Sequence, residues 1–293
     1  MTILLTAASG RTSGFVLREL LAHGVPAGGV RLMVRSEDAV RKVQAAHPQL
    51  PRSAFVIADF LEASTLGPAL AGVDTVFHNA PGFHALEGAM GVAVIEAAKK
   101  AGVKHFVYCS VLFPVLSKLL NHDVKRGVEE FLIESGLDYT ILEPTSFMQN
   151  MDVKGAAHTG ALMCAYTPQV LQGFVDLADL AQVARLVLLD PAPHNRARYE
   201  LVGENMALAD VAKTIARVAG LSGVACEAVP RSEILKRGVV TARPGSAYAT
   251  DALDRMLYYY DKRGIPGNNN TLRWLLGREP TSWEGFVRRE LQN

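Results

Sequence analysis

The stretch Ala7-Ala8-Ser9-Gly10-Arg11-Thr12-Ser13-Gly14 gathers small and hydroxylated side chains where a backbone must pass close to a phosphate. A dinucleotide-binding turn uses glycines for the tight bend, for approach to the pyrophosphate and for helix–strand contact. Ala7, Gly10 and Ser13 stand at the three glycine positions, so only the middle glycine is kept. Alanine at the first position is tolerable if its φ stays negative. Ser9, Thr12 and Ser13 offer hydroxyl donors, and a helix N-terminus behind them would add free N–H groups and a favourable dipole. At the end of the second expected strand, where NAD-preferring sites carry an acid for the ribose 2′-OH, this chain has Arg35 and then Ser36. Arg35 and Arg11 would form two jaws of a clamp on a 2′-phosphate. The expected ligand is therefore NADP(H), bound through Gly10, Arg11, Thr12, Ser13 and Arg35. The alternative is a turn that keeps the fold and binds no nucleotide. Glu37 and Asp38 follow Arg35 and are explained by the dipole of a helix start.

His122 and Lys125 are spaced to share one face of a helix. A cation beside imidazole favours the neutral ring, which can hydrogen-bond a developing oxyanion or relay a proton. The alternative for His122 is a helix cap or a contact with Asp123 or backbone. Tyr108 and Tyr139 read as core rings, and one of Tyr248, Tyr258, Tyr259 and Tyr260 could reach a pocket. His78 and His84 bracket Asn79-Ala80-Pro81-Gly82-Phe83 and read as loop histidines, either solvated or touching a ligand. The sequence has no HExxH, no paired Cys/His spacing and no acidic cluster, so no metal site is expected. A G-x-S-x-G elbow is also missing, which leaves a hydrolase without a nucleophile.

Elements able to present these groups alternate regularly. Apolar runs at Ile3–Thr6, Val30–Arg35, Ala54–Asp59, Thr75–Ala80, Lys104–Val111 and Asp138–Pro144 read as strands covered on both faces, with helices between them. The first helix is expected over Gly14–His23. Such alternation builds a doubly wound parallel α/β sheet, the Rossmann architecture, through right-handed crossovers. We expect this cofactor-binding core over residues 1–150. Residues 151–293 should form a small C-terminal α/β lobe, interleaved with the core and closing over the carboxyl ends of the strands. Asp176 or Asp179 should cap a helix there.

Of 293 residues, 49% are hydrophobic, and 30 basic residues nearly balance 29 acidic ones. Bulk charge thus favours neither nucleic acid nor an anionic membrane. Three cysteines without a CxxC pair argue against a disulfide framework and suit a reducing compartment. No apolar run is long enough to span a bilayer, and a core strand opens the chain, so a cytoplasmic protein acting on a small molecule is expected.

The turn TAASGRTSG, MVRS, ADF, GVDTVFHNAP, AAKKAGVKHFVYCSV, HDVKRGVEEFLIESGLDYTILEPTSFMQN, FVDLADLAQVA and LLGREPTSWEGFVRREL follow one another in a known order. On these motifs the chain resembles the NmrA-like branch of the atypical short-chain dehydrogenase/reductases. The resemblance implies that Asp59 and Phe60 lie by the adenine and that Asn79, Ala80 and Pro81 line the path to the nicotinamide. It also implies that Lys125 sits near the nicotinamide ribose, and that Pro144, Thr145, Phe147, Met148 and Asn150 form floor and wall of the substrate pocket. Ser110 matches a pocket-edge hydroxyl of short-chain reductases. Catalytic candidates are accordingly Lys125, His122 and Ser110. One departure is chemical: the residue four before Lys125 is Asn121, where a reductase of the Tyr-x-x-x-Lys type carries its acid. Three readings stay open, namely an oxidoreductase for electron-poor quinones or enones, a non-catalytic NADP(H) sensor with a protein partner, and a redox-neutral isomerase or cyclase.

Overall fold

The structure, a computed structural model, describes residues 1–238 and 246–292. Its first half alternates as β1 (Ile3–Leu5), α1 (Arg11–Ala22), β2 (Val30–Val34), α2 (Glu37–Ala46), β3 (Phe55–Ile57), α3 (Ala63–Leu70), β4 (Thr75–His78), α4 (Glu87–Ala101), β5 (His105–Cys109), α5 (Leu120–Glu134) and β6 (Tyr139–Pro144). There follow β7 (Ser146–Phe147), α6 (Val153–Thr159), β8 (Ala161–Cys164), β9 (Leu171–Val175), α7 (Leu177–Leu189) and β10 (Ala197–Leu201). The chain continues through β11 (Glu204–Ala207), α8 (Leu208–Ala219), β12 (Ala225–Ala228), α9 (Arg231–Arg237), α10 (Ala247–Arg263), α11 (Asn270–Leu276) and α12 (Trp283–Gln292).

Seven parallel strands form the central sheet in the order β10-β6-β5-β4-β1-β2-β3. Alternate side chains along each strand feed two apolar layers. Ile3, Leu5, Leu32, Phe77 and Val107 pack with α1, α2 and α7, while Leu4, Met33, Val76, Phe106 and Ile141 pack with α3, α4 and α5. This is the expected doubly wound sheet. From residues 151–293, α7 lies inside the first apolar layer and β10 extends the sheet beyond β6. Both elements are amphipathic to the same core, so the chain returns to it after leaving.

The smaller part holds a three-stranded sheet, β11-β9-β7, and the parallel pair β12-β8, with an apolar cluster around Trp283, Phe174 and Phe286. Two buried aspartates at the start of α7 fasten its C-terminal segment. Asp176 caps α7 by accepting from the Ala178 N–H and pairs with Arg289 at 2.5 Å. Asp179 binds Arg278 at 2.7 Å and the Thr281 N–H at 2.6 Å. The conspicuous FVDLADLA and REPTSW motifs thus tie the start of α7 to the C-terminal segment. Among the described residues no helix is long and apolar enough to cross a membrane, and no group of acidic, His and Cys side chains could hold a metal.

Candidate functional site

Strand order reverses between β1 and β4, and the crevice at the carboxyl ends of such strands is where this architecture takes ligands. The turn after β1 enters it. Thr6 ties the two strand ends together, accepting from the Asn79 N–H at 2.9 Å. Ala7 bends the chain with φ +46°, so the negative φ expected for an alanine there is not what the fold uses. The bend is needed because Gly10 folds back to donate to the Ala7 carbonyl at 2.8 Å. A Cβ on Gly10 would stand 3.0 Å from that carbonyl oxygen, which accounts for the one glycine retained.

Helix α1 starts at Arg11, three residues earlier than expected, so the N–H groups of its first turn are those of Arg11, Thr12 and Ser13. No side chain caps them and no acid stands in the first turn. Free N–H groups with the positive end of a helix dipole fit an anion. The hydroxyl of Ser13 does not take part: it is buried and donates to the Thr6 carbonyl at 2.7 Å. Serine here replaces a packing glycine by bonding to the strand it crowds.

Arg35 is exposed and, among the described residues, has no ion-pair or hydrogen-bond partner. The acids that follow it are engaged elsewhere, Glu37 with Arg52 at 2.5 Å and Asp38 with Arg41. Ser36 caps α2 through the Ala39 N–H. Arg11, expected as the opposing jaw, makes its contacts on the other side of the cleft. Its guanidinium reaches across the cleft to the Gln149 carbonyl at 3.0 Å and to Asn150, lying 5.9 Å from the Phe147 ring. The cation that does approach the turn is Lys42, one helical stretch beyond Arg35, 3.5 Å from the Ser9 carbonyl. Its signal in the sequence was weak, a lysine on an exposed helix face.

Asp59 is exposed but turns its carboxylate to its own loop, accepting from the Leu61 N–H at 2.9 Å. Phe60 is buried with its ring in the core, edge-on to His78 at 5.5 Å. Asn79, Ala80 and Pro81 follow β4 into the crevice. His78 is no loop histidine: it ends β4, is fully buried, stacks on Tyr108, and burial pushes its pKa down to about 3. Pro144 is buried, its carbonyl accepting from the Leu112 N–H, and Phe147 is half-buried under Arg11. Thr145 and Met148 face inward, Thr145 donating to the Gly173 carbonyl and Met148 joining the C-terminal cluster.

Lys125 is held between α4 and α5 against Glu87 at 2.7 Å and 5.8 Å from the Tyr108 ring. Burial opposes its charge, yet the Glu87 carboxylate keeps its pKa above the ordinary value. Glu87 had no motif to mark it. Ser110 is also less free than expected, since its hydroxyl bonds the buried carboxylate of Glu129 on α5. His122 is removed from the proton donors. It is buried, burial lowers its pKa to about 4, and both ring nitrogens have protein partners. Nδ1–H donates to the Phe113 carbonyl at 3.1 Å, so the neutral ring accepts the Tyr260 hydroxyl at Nε2, also at 3.1 Å. Two surface cavities, of about 500 and 670 Å³, lie at the amino ends of β4 and β5 and beside α10.

Comparison with known proteins agrees with this architecture. An NAD(P)H azoreductase of Xenophilus azovorans is 30% identical over 224 residues, 74% of each chain. An NADPH-dependent quinone oxidoreductase of Escherichia coli, solved with NADPH, superposes with a TM-score of 0.81 at 24% identity, covering 100% of both chains. The triphenylmethane reductase of Citrobacter sp. does so at 0.80 and 22%, again over 100% of both. These superpositions speak for the fold. The description of the NmrA-like family matches residues 1–282. By that match over almost its whole length, the chain belongs to the NmrA-like family.

Proposed function

We propose that the chain is an NADPH-dependent reductase of small electron-poor molecules of the quinone or enone type. The observation that carries this reading is the unpartnered Arg35 guanidinium at the end of β2, the strand paired with the β1 that leads into the bare N-terminus of α1. The Gly10 cradle and these donors fit a dinucleotide with a 2′-phosphate, and Lys42 supplies the second positive charge. The N–H groups of Arg11, Thr12 and Ser13 would hold the pyrophosphate, with Asn79, Ala80 and Pro81 bordering the nicotinamide. Bound there, a reduced nicotinamide supplies hydride. Lys125 stays cationic and stabilises negative charge developing nearby. Quinone reduction suits a site without the Tyr-x-x-x-Lys acid, because its product anion is delocalised. Azo, quinone and dye reductases among the relatives support the same class.

Calorimetric titration with NADPH and NADH tests the reading, followed by turnover over a quinone panel. Arg35→Ala should weaken NADPH binding by about 10- to 100-fold, the worth of a charged hydrogen bond, and leave NADH nearly unchanged. Lys42→Ala should act in the same direction, more weakly. Tight binding of NADPH without turnover of any acceptor would replace the reductase by a nucleotide sensor. Equal affinity for both nucleotides would remove the assigned role of Arg35.

A further inference from the structure

A second buried polar system reaches the carboxyl end of the sheet from its edge. Ser110 follows β5 on the face that carries Phe106 and Tyr108, and its N–H donates to the Leu142 carbonyl. Cys109 pairs in register with Leu142, which sets Ser110 beside Glu143 on β6. On α5, one turn beyond Lys125, Glu129 turns to the same face and accepts the Ser110 hydroxyl through Oε1. Arg198 of β10 then bridges the two carboxylates, 2.9 Å from Glu129 Oε2 and 2.8 Å from Glu143 Oε1. The carboxylates are 4% and 5% exposed, and the arginine, at 44%, meets solvent.

Two buried glutamates thus share one guanidinium. Arg198 favours the charged form of both and Lys125, on the same helix, that of Glu129, whereas burial opposes both and Glu200 on β10 opposes Glu143. Burial raises the pKa of both, and with Glu129 alongside, Glu143 is pushed up to about 7. Burial thus favours the protonated form of each carboxylate, and the Arg198 guanidinium lies between them. A separate feature lies on the same strand and at the start of the same helix. The Tyr108 hydroxyl, two residues before Ser110, is buried with no hydrogen-bond partner, as is the Asn121 side-chain oxygen. Buried polar atoms without protein partners mark room for water or ligand.

We infer that Glu129 and Ser110 form a proton relay, in which Ser110 gives its hydroxyl proton to the reduced substrate and Glu129 restores it. This rests on the reductase reading and supplies the acid that Asn121 cannot. With Glu129 ionised, the Ser110 hydroxyl donates to it. With the proton on Oε1 the bond reverses and frees that hydroxyl to point outward. Hydride from a reduced nicotinamide adds to the acceptor, which gains two electrons and becomes an oxyanion. The Ser110 O–H bond breaks toward that oxygen while the Glu129 O–H bond breaks toward Oγ. Glu129 is left as a carboxylate facing Arg198, and a solvent proton arriving by Glu143 refills it. Glu129 acts through Ser110 and is a positioning residue.

The experiment is the pH profile of kcat for the wild type, Glu129→Gln and Ser110→Ala, with NADPH affinity measured by calorimetry and infrared difference spectra of the ligand-free protein. The wild-type rate should fall as pH rises through neutrality. Both variants should be about 10²-fold slower and flat with pH, the usual worth of a general acid, at unchanged NADPH affinity. The infrared carboxylic-acid band should be present in the wild type at neutral pH, vanish on alkalinisation, and be absent from Glu129→Gln, where Glu143 keeps Arg198 to itself. Ser110→Ala leaves every buried charge in place, so it reads the relay even if the glutamine variant misfolds. Turnover with a wild-type pH profile in Ser110→Ala, or no such band in the wild type, overturns the relay. Absence of wild-type turnover overturns the reductase reading instead.

Discussion

The Lys125 ammonium on α5 lies 2.7 Å from the Glu87 carboxylate on α4, and their side chains are only 13% and 1% exposed. Glycines make this approach possible. A Cβ on Gly91 would stand 2.7 Å from Val128, and one on Gly88 3.3 Å from Val124, so the helices cross closely where the pair meets. Neither Glu87 oxygen has a hydrogen-bond partner, which leaves the carboxylate dependent on its ion pair with Lys125.

Breaking that pair from one side strands a buried charge. Glu87→Ala should destabilise the protein by about 3–5 kcal/mol, measured by urea unfolding, while Glu87→Met with Lys125→Met should recover most of the loss. A single variant within about 1 kcal/mol of wild type would mean that water reaches the lysine.

Ala7 should be replaceable by glycine with a gain. Left-handed backbone costs an alanine about 1–2 kcal/mol, and the greater freedom of glycine in the unfolded chain returns about 0.4–1 kcal/mol of that. Ala7→Gly should therefore stabilise by about 0.5–1 kcal/mol in urea titration. Destabilisation would argue that the methyl group is needed for packing.

Stability should fall with pH because of Glu143. Burial, then Glu129, raises its pKa from the ordinary 4.5 to about 7, so between those values the folded chain binds more protons than the unfolded one. Its contribution is whole below 4.5 and is lost as pH rises through 7. Glu143→Gln should flatten the decline in unfolding free energy between about pH 5 and about pH 8. An unchanged slope would assign the decline to other groups.

Tyr260 docks α10 on α5 through His122. Tyr260→Phe removes the donor and leaves Nε2 buried without a partner, which should cost about 1–3 kcal/mol. Because His122 has no free nitrogen, the effect should appear in thermal unfolding, with kcat nearly unchanged. A large fall in kcat at full stability would return His122 to the proton chemistry.

What the sequence determined by itself follows from local repetition. Apolar runs from Ile3 to Pro144 specify strands buried on both faces, and their alternation with helices leaves little choice of topology, so six strands lie where the pattern put them. The places of Gly10 and Arg35 in the fold were legible for the same reason: one is fixed by a turn, the other by a strand end. The tertiary structure decided everything that depends on residues distant in the chain. It chose Lys42 over Arg11 beside the turn, because Gln149 and Asn150, some 140 positions on, draw Arg11 across the cleft. It turned His122 into a strut by placing Tyr260 against it, and gave Lys125 and Ser110 the buried partners Glu87 and Glu129. Charge and hydrogen-bond partners are set by distances of a few ångströms between elements, and no spacing along the chain encodes them.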